Sequence, residues 1–538
     1  TTLAALALTG CPGRSVVSLD AMDANDAVDA PLDGSPADAE VGTDAPPPPS
    51  RPASAPTIQW VDPFMGTGGQ GFGTGSTFPG PQTPFGMARP GPDTMDPTGT
   101  PPFAHCSGFA YGDTWIQGFS VTRMNGTGIP EYGAIGLAPV IGLTPAQTRQ
   151  AGYRSPYDHA SERASPGYYR VRLADTGIDV ELTATDHVAL QRYTFPAASD
   201  GVVLLDLGHT IGAVVIQEAH LARDAGSGEI TGSARFTGGY SERFGGMTVY
   251  FAARASRAFT GAGTWTNGTL SDGAMSADGT AIGAYLHFDT RTDASVTVAV
   301  GLSFTDVAHA QANLVAESPA RDFDAARTAA EARWESALSV VRIEGRDEND
   351  FRTFYSALYH TLLMPTLATD VDGTYRGLDG GVHHADGYRY YTDFSLWDTY
   401  RTEHPLVNLL FPAYARDFAR SLTAMAVQGG YVPRWPLGTG ETGGMIGDSA
   451  DIVLADSWLK GVRDFDLRAA YTVMRAQATA PAAPGIRIER AGLASYLSRG
   501  YISIEAAGTS VSNTLEYAYD DHALSVLADA LGEHADAV

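Results

Sequence analysis

Ser510-Val511-Ser512-Asn513-Thr514-Leu515-Glu516-Tyr517-Ala518-Tyr519-Asp520-Asp521 is the stretch on which the fold of this 538-residue chain turns. Its spacing predicts the opening of a helix that runs to about Leu531. At about 100° per residue, Leu515, Tyr519, Ala523, Leu524, Val526, Leu527 and Leu531 share one broad side, with Asp521, Ser525 and Asp529 opposite. Glu516 and Asp520, one turn apart, fall on the apolar side. An ionised carboxylate among core residues is costly unless something answers it, so the pair points to a polar cavity where the helix begins. A second reading fits the same residues. Asn513 with Glu516 three positions on matches an N-cap and its capping box, and the helix dipole favours Glu in a first turn.

Working outward, helical periodicity fills the second half of the chain. After an Ala- and Arg-rich helix over 319–338, helices are predicted at about 350–364, 396–410, 413–427, 448–460, 465–478 and 491–498, ahead of 513–531. Sequential helices with no clear strands between them predict a toroid of helical hairpins rather than a parallel α/β sheet. A closed double ring of hairpins needs about twelve helices, so the sequence is expected to run only partway round.

Between Ile58 and Thr305 the period is two. Tyr168–Leu173, Val188–Phe195, Val202–Leu207 and Ala294–Val300 alternate between Gly, Asp and Asn turns, which predicts a large antiparallel sandwich. Asn267-Gly268 and Asp272-Gly273 are both hairpin signals, because a tight primed turn needs residues that tolerate positive φ. The glycines after Gly66 lack the Lys-Ser/Thr ending of a phosphate loop, which excludes a nucleotide site there.

Composition narrows the partners. A formal charge of -26 argues against nucleic acid and against an anionic membrane face, both of which would repel the protein. The 24 Tyr suit sugar-stacking surfaces but equally suit cores. Residues 2–9 read as the back half of an apolar export segment, and Leu8-Thr9-Gly10-Cys11 resembles a bacterial lipobox with Cys11 as the acylated residue. The Ala-, Asp- and Pro-rich run that follows is a tether. The expected location is therefore the bacterial cell envelope, after export, with membrane contact only through a lipid anchor. Cys106 is expected as a small buried residue, a Cys11–Cys106 disulfide being the alternative.

Several segments together resemble glycoside hydrolase family 92, the calcium-dependent exo-acting α-mannosidases. They are Asp62–Thr67, Thr77–Gly80 with Pro84–Met87, Gly118–Ser120 with Gly126–Gly128, Phe394–Arg401, Gly440–Gly443 with Met445–Gly447, and Thr514–Asp521. The resemblance implies a multidomain β + α fold class: an N-terminal antiparallel β-supersandwich of galactose-mutarotase-like form, a helical linker, then a partial (α/α)6 barrel. The expected divisions are 1–10 (end of the export signal), 11–56 (lipobox Cys and tether), 57–315 (sandwich), 316–345 (linker) and 346–538 (incomplete catalytic barrel).

The resemblance further implies that Glu516 is the general acid, kept neutral by apolar surroundings, in an inverting reaction that needs a second carboxylate on the far side of the sugar. It implies a Ca2+ cofactor gripping the sugar's 2- and 3-hydroxyls and a mannose-containing glycan as substrate, with α-1,2-linked mannose of N-glycans or mannans foremost. By the same resemblance Trp397 is a sugar platform and Asp398 a hydroxyl acceptor, against a core aromatic and a first-turn Asp. Glu441, in a Gly-rich loop, is expected to line a cavity, and Asp113 either reaches the pocket or occupies an ordinary turn. His383-His384 reads as a solvated loop.

Two departures from the pattern matter. The family's His-Tyr-x-Glu-Gly-Asn and Gly-Asn-Asp-Asp-Cys-Gly segments, which carry the base and most calcium ligands, do not occur up to Val538, so residues 1–538 alone are expected to be inactive. Val121-Thr122-Arg123 stands where many relatives have His-Thr-His. The rival readings are another glycoside hydrolase or a phosphorylase on the same scaffold, and a surface glycan-binding protein without turnover.

Overall fold

Period-two alternation pairs residues 91–303 into two antiparallel sheets in the computed structural model, which describes residues 50–69, 76–95, 105–197, 200–484, 486 and 488–537. The predicted export segment, lipobox Cys11 and most of the tether lie outside the described residues. One sheet has eight strands. Its main path runs Thr269–Asp272, Gly261–Thr266, Ile282–Phe288, Gly201–Asp206, Gly136–Ile141, Trp115–Ser120, Gly91–Met95, and Ser155–Pro156 adds to Trp115–Ser120. The other has nine strands, ordered Ser276–Gly279, Val215–Arg223, Ile230–Thr237, Met247–Ala255, Ser295–Ser303, Val188–Thr194, Asp179–Ala184, Tyr168–Arg172, Arg163–Ser165.

Alternate side chains of each strand serve different layers. Leu137, Val203, Leu205, Ala284 and Leu286 enter the main core, as do Ala189, Tyr193, Phe251 and Val300 from the nine-stranded sheet. Val202, Leu204, Trp265 and Tyr285 point the other way and pack with Tyr153 of a short helix, α1 (Gln150–Tyr153). On the nine-stranded sheet, Val188, Leu190, Ala252 and Ala299 are covered by Ala310 and Leu314 of α2 (Val307–Glu317) and by Phe323 of α3 (Phe323–Leu338). Gly301 permits that cover, because a Cβ there would stand 2.5 Å from the Ala310 carbonyl oxygen. Each fully buried large apolar side chain contributes about 1.5–3 kcal/mol.

Asn267 and Gly268, at φ +51° and +86°, close the predicted hairpin between Thr266 and Thr269. Asp272-Gly273 does not make a second one. Thr269–Asp272 stays in the eight-stranded sheet while Ser276–Gly279 pairs with Val215–Arg223 in the other, so this turn transfers the chain between sheets. A positive-φ glycine serves any sharp reversal, whatever the next strand pairs with.

Two helices follow the last sandwich strand where one was predicted: α2, capped by Asp306, precedes α3, capped by Asp322. The helical body follows with α4 (Glu348–His360), α5 (Leu396–Thr399), α6 (Glu403–Leu410), α7 (Pro412–Gly429), α8 (Ser449–Leu459), α9 (Leu467–Thr479), α10 (Leu493–Arg499) and α11 (Ser510–Leu531). The predicted 396–410 helix is thus broken at 400–402, and α7 begins on Pro412, whose fixed φ suits a first helical position. Short strand pairs missed by the helix-only reading also interrupt the body, including Thr366–Leu367 with Tyr391–Thr392 and Pro436–Leu437 with Gly440–Glu441. His383 and His384 lie on another, Val382–His384, facing Asp379 and Asp386 rather than hanging in a loop.

Buried polar contacts hold the helical body against the sandwich. Tyr132 OH donates to both carboxylate oxygens of Asp393 at 3.0 Å, and the Gly438 N–H donates to Asp393 at 2.7 Å. Asp186 bridges Arg333 and Arg389 at 2.5 and 2.6 Å. Among the described residues, no helix is long and apolar enough to cross a membrane.

Candidate active site

The opening of α11 decides between the two readings of Asn513 and Glu516. The helix starts at Ser510 after Thr509, so Asn513 sits inside its first turn, buried, donating from Nδ2 to Thr509 Oγ1 at 2.8 Å. It is not the N-cap, and no capping box forms with Glu516. The buried face of α11 is Asn513, Tyr517, Asp520, Ala523, Leu524, Leu527 and Ala528. Leu515 and Tyr519, expected inside, are 67% and 48% exposed. Asp521, expected on the solvent side, takes hydrogen bonds from Arg490 Nη1 and from Tyr496 OH. Hydropathy misplaces this face because its first half is polar and is met by polar partners.

Glu516 lies at the edge of that face with its side chain 15% exposed. Its Oε1 is 3.8 Å from Arg401 Nη2, and its Oε2 is buried without a hydrogen-bond partner among the described residues. The Arg401 guanidinium lies over the Trp397 ring at 4.8 Å and the Tyr400 ring at 4.6 Å, and Tyr400 meets Tyr519 edge-on at 5.9 Å. Glu516, Arg401, Trp397 and Tyr400 therefore form one polar-aromatic cluster. The Trp397 indole N–H is also buried without a hydrogen-bond partner among the described residues.

The other predicted residues separate. Asp398 is exposed and accepts from Ser395 Oγ at 2.5 Å, while Ser395 Oγ accepts from Trp435 Nε1 at 2.8 Å. Glu441, expected to line a cavity, is committed to its own hairpin. It is buried with its carboxylate engaged by the backbone N–H groups of Arg434, Trp435 and Gly443 at 2.8–3.3 Å, so it ties the 434–443 hairpin. A carboxylate can do this because it accepts several donors at once. Asp113 is buried in the sandwich, 2.5 Å from His105 Nε2. Cys106 is buried as expected, and burial pushes its thiol up to about 11.

Beneath Glu516 is a cluster of which only Asp520 stood out in the sequence. Asp520 accepts the Asp448 N–H at 2.7 Å through Oδ2 and leaves Oδ1 unpartnered. Burial, then the neighbouring Asp448, pushes the Asp520 carboxyl up to about 8. Asp451 on α8 is buried with neither oxygen hydrogen bonded, and burial, then Asp448 and Asp520, raises it well above the usual carboxylate range. Arg490 donates from Nε to Asp448 Oδ2 at 2.7 Å. The only hint in the sequence was the i, i+4 spacing of Glu516 and Asp520, since residues 448, 451 and 490 come from other segments.

These residues do not fit a calcium site. Among the described residues no group of three or more His, Cys, Asp or Glu side chains could hold a metal ion, and the acidic cluster already encloses the Arg490 guanidinium. No step is derived through a metal.

The architecture is a β-supersandwich joined by helices to a helical body of the (α/α)-barrel type. Residues 60–303 match the model of the glycosyl hydrolase family 92 N-terminal domain and residues 309–538 that of the family's catalytic domain. The chain belongs to glycosyl hydrolase family 92. It is similar to a family GH92 α-mannosidase from Bacteroides thetaiotaomicron, with 33% identity, a TM-score of 0.80, and coverage of 89% of this chain and 64% of that one. A GH92 inverting mannosidase from strain VPI-5482 of the same species gives 28% identity, a TM-score of 0.80, and coverage of 89% and 63%. An uncharacterized secreted glycosidase of Arthroderma benhamiae is 27% identical over 517 residues, 88% of this chain and 60% of the relative. The chain thus spans less than two thirds of the length of these relatives.

Proposed function

We propose that the protein is an exo-acting α-mannosidase in which Glu516 is the general acid. One observation carries this: a carboxyl group largely withdrawn from solvent keeps an oxygen without any protein partner among the described residues, beside an aromatic cluster. Leaving such an atom unsatisfied costs about 1–3 kcal/mol, and a glycosidic oxygen would complete it. As the neutral acid, Glu516 would pass its proton to the departing oxygen as the bond to the sugar's anomeric carbon breaks. The Trp397 ring would support the sugar, and Asp398 would accept from a hydroxyl.

The relatives support this reading, since one of the Bacteroides enzymes is an α-mannosidase that has been captured with mannoimidazole and another is described as inverting. Inversion requires water activated from the opposite face by a second carboxylate. α-1,2-Linked mannose on N-glycans or mannans is the substrate class to assay first. The same proposal assigns 57–315 to the sandwich domain, 316–345 to the linker and 346–538 to the catalytic body. It also covers calcium dependence, export, which the secreted fungal relative supports, and a bacterial lipid anchor at Cys11.

Release of mannose from an α-1,2-mannobioside by the full-length gene product, followed by NMR of the first-formed anomer, tests the reading. Glu516→Gln is expected to lower release about 10²–10⁴-fold while retaining mannoimidazole binding. A parallel arm with chelator checks calcium dependence, and mass spectrometry of the N-terminal peptide checks acylation. Binding without release would instead favour a glycan-binding protein, and release only with phosphate a phosphorylase.

A further inference from the structure

The turn ahead of α8 lies directly against the acid of α11. A Cβ placed on Gly447, at φ +74°, would stand 3.1 Å from Glu516 Cβ, 3.2 Å from Asp520 Oδ2 and 3.4 Å from Glu516 Oε2. Bare backbone is therefore packed over both carboxyl groups, at a φ that favours glycine. Two hydrogen bonds fix the turn. The Asp448 N–H donates to Asp520 Oδ2 at 2.7 Å, and Arg434 Nε donates to the Gly447 carbonyl at 2.7 Å. Arg434 is held in turn, its backbone N–H donating to Glu441 Oε2 at 3.0 Å. A continuous path thus runs from the Glu441 hairpin through Arg434 and the turn to Asp520.

We propose that Asp520 and Arg434 are positioning residues for Glu516, holding the Gly447–Asp448 peptide as a fixed, water-excluding floor under the acid. The proposal rests on the general-acid reading of Glu516. An acid that protonates a leaving group must keep its proton near neutrality, and exclusion of water from one side favours the uncharged form. If the floor lifts, water reaches the carboxyl and its proton affinity falls. The other groups that face the pair are Arg401 and Tyr400 toward Glu516, and Asp448, Asp451 and Arg490 toward Asp520.

Asp520→Asn and Asp520→Ala separate the floor from the charge. Both remove the ionisable group, but the Asn side-chain oxygen still accepts the Asp448 N–H. The full chain, labelled with 13C at the Glu carboxyls, is titrated by NMR, with the Glu516 signal assigned by its loss in Glu516→Gln. Glu516 is expected to titrate about one pH unit lower in the Ala variant than in the Asn variant. Arg434→Lys keeps the charge and loses the planar fork, and it is expected to move the Glu516 midpoint down relative to wild type. It also decides the matter if Asp520→Ala does not fold. Identical midpoints in the Asn and Ala variants, or an unmoved midpoint in Arg434→Lys when the Ala variant is unfolded, would overturn the proposal. The titration needs no turnover, so it decides the floor independently of hydrolysis, whereas unchanged mannose release by Glu516→Gln in the full-length gene product would count against Glu516 as the acid without deciding the floor.

Discussion

Arg123 in the sandwich and Arg490 beside α11 are both buried arginines facing aspartates, and they end in opposite states. Arg123 donates from Nε to Arg89 O at 3.2 Å, from Nη1 to Pro92 O and Ser107 O at 3.1 and 3.0 Å, and from Nη2 to Asp93 at 3.0 Å. Asp93 is completed by His209 Nε2 at 2.7 Å and the Ser120 N–H at 2.8 Å. Arg490 leaves Nη2 without a hydrogen bond, 3.8 Å from an Asp451 whose two oxygens are equally unmet. Asp520 and Glu516 each add an unsatisfied oxygen to the same neighbourhood. The same pairing chemistry is saturated where it serves only the fold and left open next to the candidate acid. Unsatisfied buried atoms are costly, so their concentration here marks a place where water, a proton or a ligand completes the structure.

That contrast can be broken by removing one member of the closed network. Asp93→Ala strands a buried guanidinium, and urea unfolding is expected to show a loss of about 3–5 kcal/mol. A loss under about 1 kcal/mol would mean that the sandwich network is no more committed than the open one.

The open network should respond to pH in a definite direction. Asp451 and Asp520 bind protons more tightly folded than unfolded, so their contribution to stability is present below about pH 4 and is lost as pH rises toward the folded value of about 8 for Asp520. Asp451→Asn mimics the neutral acid. It is expected to stabilise by about 1–3 kcal/mol at pH 8 and to have little effect at pH 4. A stabilisation that does not change across that window would show that Asp451 is not held protonated.

Smaller effects sharpen the picture. Glu441→Gln keeps the shape and weakens charge-assisted acceptance from three backbone donors, an expected loss of about 1–2 kcal/mol in chemical unfolding. If substrate affinity fell with stability unchanged, Glu441 would belong to the pocket after all. Leu515→Ser, on the exposed side of α11, is expected to stay within about 0.5 kcal/mol of wild type. A larger loss would mean that something covers this face in solution.

The sandwich was the more legible half. Strands such as Val188–Thr194 and Gly201–Asp206 follow from alternation, and Asn267-Gly268 places its own hairpin, because strand pattern and tight-turn chemistry are local. Asp272-Gly273 was read as a second hairpin because a turn's residues do not say which sheet the next strand joins. In the helical body the positions of α7, α8 and α9 were close to those expected, but the buried face of α11 was not. Leu515 is apolar and exposed and Asn513 polar and buried, which no hydropathy wheel can assign, whereas Asp520, read on the apolar side, is buried.

What the residues alone determined is the order of the two bodies, a helix running through 516 and the presence of two carboxyls one turn apart there. These depend on periods of two and 3.6 and on turn preferences, which act over a few neighbouring positions. Tertiary structure decided what meets those carboxyls: the Gly447–Asp448 turn, Asp451, Arg490 and Arg401. Such encounters are set by how α5, α8 and α11 pack across many intervening residues, and the free energy of an acid is fixed by its surroundings rather than by its place in the chain.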